Sequence, residues 1–237
     1  MLFLALAGLI AGLARGFSGF GSALIFIPLA SAAAGPVLAA PLLMIVDGIG
    51  AAPMLPAAWR EADRRAVFIM SAGAMLAVPV GTWTLTRADP VLLRWFISLA
   101  ILALLGLLIS GWRYRGAPRA PVTVGVGMLS GFLSGVAQIG GAPAIAYWLG
   151  GAARPAQVRA NLVLLLGLSQ IYTIVTYWLA DVFTAQAAWL SLAVGPGYFG
   201  GVMFGTRMFG LASPETFRRI CYVLIAAAAI GSLPVFR

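Results

Sequence analysis

Few side chains in this sequence could bind or transform a ligand, and several of them lie inside long apolar runs. Arg15, Ser18 and Ser22 fall in the first run, Asp47 falls in the second, and Gln138 falls in a later glycine-rich run. The guanidinium, hydroxyl and amide groups of this set donate hydrogen bonds, which is the chemistry that binds a small oxyanion. The hydroxyl and amide groups also suit a second role, satisfying backbone left unpaired where a helix is interrupted.

The backbone around these side chains is rich in residues that weaken helices. The stretches 16–22 and 135–143 concentrate glycine, with Pro143 in the second, inside apolar runs that are too long for one straight crossing. Glycine costs about 1 kcal/mol and proline about 3 kcal/mol in a helix interior, so each run is predicted to break into two half-helices. The N-terminal end of a half-helix attracts anions. The predicted substrate-binding residues are Arg15, Ser18, Gly19, Gly21, Ser22, Gln138, Gly140 and Gly141.

The charges of Arg15 and Asp47 allow more than one interpretation. A charge at membrane depth costs at least about 2.5 to 3.5 kcal/mol, so Arg15 either faces a partner or a wet cavity, or lies near the surface in a segment that only dips into the membrane. Asp47 lies about 17 Å along a helix that begins at Pro36, near the middle of a crossing of about 30 Å. Asp47 is a candidate for pairing with Arg15, for coupling transport to protons, or for a structural hydrogen bond.

Three later polar residues, Asn161, Gln170 and Tyr172, are candidates for lining the same cavity. Asn161 fits a helix-start or interface role better. The sequence has no His and one cysteine, Cys221, so no metal site and no cofactor is expected. No paired carboxylates and no Ser with an evident base are present, so we do not expect an enzyme.

Composition places these residues in a membrane protein. Hydrophobic residues make up 62% of the 237 positions, charged residues 9%, and the mean hydropathy is +1.02. One crossing of a bilayer needs about 20 apolar residues, and such runs recur from end to end. Because they are apolar throughout, the runs predict helices and exclude an alternating strand barrel. They span residues 2–31, 36–59, 66–86, 91–112, 122–150, 156–179, 187–211 and 217–236.

The chain also contains an internal duplication, which we sought because transporters often contain repeats. Matching spacings relate the two halves: Gly8, Gly12, Gly16 and Gly21 to Gly127, Gly131, Gly135 and Gly140, Pro36 to Pro155, and Gly73, Gly81, Thr82, Pro90 and Arg94 to Gly197, Gly205, Thr206, Pro214 and Arg218. We therefore predict one polytopic membrane domain over 1–237 with repeats at 1–115 and 119–237. Glycines spaced by four residues line one helix face, where they allow two helix backbones to approach closely.

The arginines offer a test of topology, because positive residues collect on one side of a membrane protein. Nucleic-acid binding does not explain the net charge of +9, since the arginines lie in short connections between runs. Eight simple crossings would divide the arginines evenly between the two sides. If the first run of each half is re-entrant, eleven arginines share one side against Arg87, Arg94 and Arg237. This bias favours two inverted repeats, each with a broken or re-entrant glycine-rich segment followed by three transmembrane helices. A single bent crossing remains the alternative.

Several segments, in this order and duplicated, resemble the TauE/SafE sulfite exporter family. They are GLARGFSGFGSALIFIPL at 12–29, the Ala40-Pro41-Leu42 step, residues 60–65, the Pro79-Val80-Gly81-Thr82 step, GVAQIGGAPAIAYWL at 135–149 and Arg159-Ala160-Asn161. The resemblance covers nearly the whole chain. It implies a carrier of small anions, among them sulfite, sulfonates and related organosulfur or carboxylate compounds, acting as an exporter in the bacterial inner membrane.

The expected function is therefore secondary transport of a small anion, with proton coupling through Asp47 as one mechanism. The alternative is a passive anion channel. The expected partners are the anionic substrate and the lipid bilayer, with no nucleic acid. The substrate and the oligomeric state are left open, a homodimer being one alternative for the latter.

Overall fold

The computed structural model describes residues 1–19, 21–114, 116, 119–151, 153–208 and 214–236, without the side chains of residues 18, 214–218 and 236. These residues form helices, and no strand occurs among them. The helices are α1 (Leu2–Ser18), α2 (Ser22–Ala34), α3 (Pro36–Ala51), α4 (Leu55–Glu61), α5 (Arg64–Arg87), α6 (Pro90–Ile109), α7 (Ala120–Ala137), α8 (Gly141–Trp148), α9 (Pro155–Leu179), α10 (Ala185–Met208) and α11 (Pro214–Gly231). Short 3-10 turns lie at Ala52–Met54 and Pro234–Phe236.

The first and fifth predicted runs are each divided into two helices. Helix α1 ends at Gly19, which has a φ of 77°, and α2 begins after Gly21, which has a φ of 94°. Helix α7 ends at Gln138, which has a φ of 60°. Because left-handed backbone cannot continue a right-handed helix, these residues terminate α1 and α7. The second run contains one division that the sequence did not predict, the 3-10 turn between α3 and α4.

Corresponding residues of the two halves begin corresponding helices. Pro36 and Pro155 lie at the starts of α3 and α9, and Pro90 and Pro214 are the first residues of α6 and α11. Proline suits this position because the first helical N–H has no partner within the helix. The side chain of Asp89 accepts hydrogen bonds from the backbone N–H groups that follow Pro90, which fixes the start of α6.

Within the described part of the chain, six helical segments are long and apolar enough to cross a membrane, namely Pro36–Glu61, Arg64–Arg87, Pro90–Ile109, Ala120–Ala137, Pro155–Leu179 and Ala185–Met208. Shorter apolar helices cover Leu2–Phe17, Ser22–Ala34 and Arg219–Gly231. Large apolar side chains such as Trp83, Trp178 and Phe204 are exposed on the outer faces of these helices. The all-helical, multi-pass membrane architecture expected from the sequence is confirmed, since such surfaces are stable in lipid rather than in water.

The four-spaced glycines pack helices from different halves against each other. Gly12 and Gly16 of α1 lie against the backbone of α10 at Tyr198 and Val202, and a Cβ at either glycine would overlap it. The glycines of α7 pack in the same way against α5, where Gly131 meets the backbone of Ala74. These contacts are the close small-residue packing that the spacing predicted. The same pairing occurs twice: α1 of the first half packs against α10 of the second, and α7 of the second half packs against α5 of the first. If α3 and α4 are counted as one segment, the first helix of each half packs against the fourth segment of the other.

The directions of packed helices follow from which residues meet. Gly12 meets Tyr198 and Gly16 meets Val202, so α1 and α10 run parallel, and α7 and α5 do so by the equivalent contacts. Helix α9 runs antiparallel to the segment formed by α3 and α4, because Gly48 contacts Gln170 whereas Asp63, just beyond α4, contacts Asn161. Helices α6 and α11 are also antiparallel: Arg94 bonds to Ser232, and Leu108 bonds to Tyr222.

Candidate functional site

Both helix breaks border one small cavity in the middle of the bundle. The first break contributes Gly21 and Ser22, and the second contributes Gln138, Ile139 and Gly141. Helices α1, α3, α7 and α9 complete the lining with Arg15, Leu43, Asp47, Ser134, Leu166, Ser169 and Gln170. The sequence thus identified most of the polar groups that the structure brings together here.

The N-terminal ends of α2 and α8 face this cavity. Gly21 and Ser22 at the start of α2, and Gly141 and Ala142 at the start of α8, are among its lining residues. The residues before both helices are glycines, so neither start has a side-chain cap. The first N–H groups of a helix have no intrahelical partner and carry partial positive charge. Two positive helix ends therefore converge on the cavity.

The C-terminal ends of α1 and α7 lie nearby, but hydrogen-bond donors cover their carbonyl groups. At the end of α1, Arg15 donates to Gly19 O at 2.6 Å and Arg159 donates to Gly16 O at 3.3 Å. At the end of α7, Tyr177 donates to Gly135 O at 2.8 Å, and the Gln138 amide donates to Ser134 O at 3.1 Å. These donors offset the negative partial charge of the two helix C-termini.

Asp47 holds Arg15 in place. The Nε of Arg15 lies 3.1 Å from Asp47 Oδ1, and both side chains are buried. Asp47 also accepts hydrogen bonds from Ser22 Oγ at 3.2 Å, from Gln170 Nε2 at 3.1 Å and from the Tyr198 hydroxyl. Arg15 is a cation and the other three neighbours are donors, so both carboxylate oxygens act as acceptors. The network joins α1, α2, α3, α9 and α10 at one carboxylate.

Gln138 occupies a backbone conformation that glycine fills in the other half. Its φ of 60° and ψ of 18° lie in the left-handed region, as do the φ of 77° and ψ of 0° at the matching Gly19. Left-handed backbone costs a non-glycine residue about 1 to 2 kcal/mol. Gln138 lines the cavity. A hydrogen-bonding amide therefore occupies a strained backbone position at which glycine would be more stable.

Serines that the sequence analysis did not single out complete the site. Ser169 is 3% exposed and lines the cavity, and its Oγ has no hydrogen-bond partner among the described residues. A buried hydroxyl without a partner costs about 1 to 3 kcal/mol, which a bound water or ligand oxygen would offset. Ser134 precedes Gln138 by one helical turn, a spacing that could have predicted it. No sequence signal pointed to Tyr198 or to Ser169.

The remaining predicted residues have different surroundings. Gly19 lies beside the cavity against the side chain of Arg159, and Gly140 packs on Ser130 and Ser134 of α7, so neither lines it. The side chain of Ser18 lies outside the described residues. Asn161 and Tyr172, expected to line the same cavity, lie away from it.

Asn161 and Tyr172 instead form hydrogen bonds between helices. Asn161 Oδ1 accepts a hydrogen bond from the backbone N–H of Asp63 at 2.7 Å, which links α9 to the start of α5. The Tyr172 hydroxyl lies 3.1 Å from the hydroxyl of Ser71 on α5. For Asn161 this is the interface role that its place near a helix start suggested.

The cavity is small in this conformation. Its volume is about 30 Å³, and about 10 to 15 Å³ suffices to hold one water molecule.

Comparison with known proteins supports the resemblance seen in the sequence. The family model described as "Sulfite exporter TauE/SafE" matches residues 4–232. No match was found among curated proteins or among solved structures. The matched region includes both helix breaks, Asp47 and the whole cavity lining. Because the match covers nearly the full length, the chain belongs to the TauE/SafE sulfite exporter family.

Proposed function

We propose that this protein is a secondary transporter that exports a small anion, such as sulfite, a sulfonate or a carboxylate, across the bacterial inner membrane. Family membership indicates a membrane anion exporter. The observation that carries the more specific proposal is the convergence of two uncapped helix N-termini and Arg15 on one buried cavity. Such groups attract anions most strongly where water is scarce and the local dielectric constant is low.

The proposed anion competes with Asp47 for Arg15. In the structure Asp47 neutralises Arg15 at 3.1 Å, so an anion gains the full attraction of the guanidinium only when that carboxylate is protonated or moves away. Protonation of Asp47 would therefore favour anion binding. This exchange offers a physical basis for coupling anion movement to protons, with Asp47 as the coupling residue.

We further propose that residues 1–115 and 119–237 are repeats inserted in opposite orientations, each beginning with a re-entrant pair of helices. Helix directions support this topology. With eight simple crossings, α6 and α11 would be the fourth and eighth and would run parallel, yet they are antiparallel. The α3–α4 segment and α9 would also be parallel, yet they are antiparallel. A re-entrant α7–α8 pair reverses the direction of every later helix. It therefore makes α11 antiparallel to α6 and α9 antiparallel to the α3–α4 segment.

The parallel packing of α1 and α10 supports a re-entrant first pair as well. If α1 and α2 crossed the membrane while α7 and α8 did not, α1 and α10 would run in opposite directions. With both pairs re-entrant, eleven arginines lie on one side, which the positive-inside rule assigns to the cytoplasm. The two uncapped N-termini, at the starts of α2 and α8, then approach the site from opposite faces of the membrane.

A flux assay tests the function. Purified protein in proteoliposomes should take up labelled sulfite, short sulfonates or carboxylates with saturation, and unlabelled anion inside the vesicles should accelerate uptake, since a carrier returns faster when loaded. Empty vesicles serve as the control. Flux that neither saturates nor responds to internal anion would favour the passive channel, and absence of flux for all these anions would contradict anion transport.

Replacing Gln138 by glycine should separate function from stability. Glycine relieves the left-handed strain, so thermal stability in detergent should rise or stay unchanged. Loss of the amide should lower anion flux by roughly tenfold, the effect of one hydrogen bond to a charged group. Gly19→Gln, at the matching break, is the converse control and should lower stability. A Gln138→Gly variant with normal flux would limit Gln138 to a helix-ending role.

A further inference from the structure

A second, larger cavity lies next to the central one, along the same two helices. It has a volume of about 350 Å³ and is lined by Ile145 and Ala146 of α8, by Arg159 and Leu162 of α9, and by Arg113 after α6. We refer to it as the outer cavity.

The two cavities are separated by one helical turn on both shared helices. On α8, Ala142 borders the central cavity and Ile145 borders the outer one. On α9, Leu166 borders the central cavity and Leu162 borders the outer one. Residues three or four positions apart lie about 5 Å apart along a helix axis, so the cavities are neighbours end to end. Movement of side chains over one turn would connect them.

Arg159 lies between the outer cavity and the Arg15 site. It lines the outer cavity, and its side chain crosses Gly19, where a Cβ would come within 3.1 Å of Arg159 Cγ. It donates to Gly16 O at the end of α1, where Arg15 donates to Gly19 O. The two arginines therefore hold the same helix end, one facing each cavity. An anion leaving Arg159 would meet Arg15 next.

The charges and walls of the outer cavity indicate its ligand. Arg113 and Arg159 supply two cations, and none of the described lining residues is acidic. The other walls are mainly apolar, with Trp112 and Leu149 among them. A bare inorganic anion gains nothing from apolar walls, whereas an organic anion is stabilised by burying its carbon atoms against them.

We propose that the outer cavity is the vestibule through which the anion enters from the arginine-rich side, with Arg159 as its first binding residue and with organic sulfonates and carboxylates as the preferred class. The proposal rests on the proposed function. It adds a second anion site outside the central cavity, and it makes the apolar part of the substrate a determinant of selectivity.

Thiol labelling tests the vestibule without requiring transport. Leu149 lines the outer cavity and is 37% exposed, so Leu149→Cys in a Cys221→Ser background places a reactive thiol there. The probes are 2-sulfonatoethyl methanethiosulfonate, an organic sulfonate, and its cationic trimethylammonium counterpart. Each rate constant is first divided by the rate constant of the same probe with a free thiol. The normalised rate constant of the sulfonate probe should then exceed that of the cationic probe by roughly tenfold, which is the effect of a nearby unit charge in partly screened surroundings.

Arg159→Gln should lower this preference, with Arg113 retaining part of it, whereas Arg154→Gln should leave it unchanged. Arg154 is the matched control because it is exposed, lies five residues before Arg159 and does not line the outer cavity. A ratio equal to that of a free thiol, or one that Arg159→Gln does not change, would overturn the vestibule.

Two comparisons separate the alternatives. If the preference appears in detergent and disappears in lipid vesicles, a lipid headgroup occupies the outer cavity and the proposal fails. If the preference is present but the wild-type protein transports no anion, the anion site stands and the transporter proposal fails. If anion flux is present without any labelling preference, the transporter proposal stands and the vestibule fails.

Discussion

Replacing Arg15 by glutamine should reduce anion transport by more than an order of magnitude. Arg15 is 2% exposed and supplies the only cationic side chain among the described residues lining the central cavity. Losing a buried charge partner of a bound ion costs about 2 kcal/mol or more, so flux at limiting substrate should fall by about thirtyfold or more. The measurement is initial uptake into proteoliposomes at equal protein density.

A fold defect must be distinguished from a transport defect in this variant. Removing Arg15 leaves Asp47 as an uncompensated buried charge, which costs about 3 to 5 kcal/mol of stability. The double variant Arg15→Gln, Asp47→Asn removes both charges and should recover thermal stability without recovering transport. Near-normal flux in a stable double variant would show that Arg15 does not bind the anion.

Replacing Asp47 by asparagine should leave anion binding largely intact and remove the pH dependence of flux. In the proposed mechanism the carboxylate competes with the anion for Arg15 and a proton from solution relieves that competition, so wild-type flux should be greater at lower pH. Asparagine resembles the protonated carboxyl group and cannot titrate. Flux through Asp47→Asn should therefore stay near the level that the wild type reaches at low pH.

A binding measurement sharpens this prediction. With Asp47 neutralised, Arg15 lacks a counter-charge, and a bound anion would supply one. The transported anion should consequently raise the melting temperature of Asp47→Asn more than that of the wild type. Gln170→Leu removes a hydrogen bond to the same carboxylate without removing charge, and it should retain the pH dependence. Unchanged pH dependence in Asp47→Asn would return Asp47 to a structural role.

The sequence was informative wherever local chemistry decides the structure. Glycine clusters predicted the breaks near Gly19 and Gln138, because helix-weakening residues act at their own positions. Four-spaced glycines predicted close helix packing, because spacing alone defines a helix face. Mid-membrane depth suggested the pairing of Arg15 with Asp47, and the structure contains that ion pair.

What the sequence could not provide was the choice of partners between distant helices. Tyr198 bonds to Asp47 across 151 positions of the chain, and no periodicity encodes that contact. Asn161 and Tyr172 have the polarity of cavity-lining residues, but the rotation of α9 directs them to α5, whereas Ser169 and Gln170 face the cavity. Helix rotation depends on packing against several neighbours at once, which a single sequence does not reveal.

The most direct measurement is the position of the bound anion. Crystals of the wild-type protein should be grown with a selenium- or bromine-labelled form of whichever anion the flux assay identifies, and the label located by anomalous scattering. The proposed mechanism predicts a peak between the starts of α2 and α8, within reach of Arg15, Ser22, Gln138 and Ser169, and no such peak in Arg15→Gln, Asp47→Asn. A transported anion bound elsewhere in the protein, with this cavity empty, would contradict it.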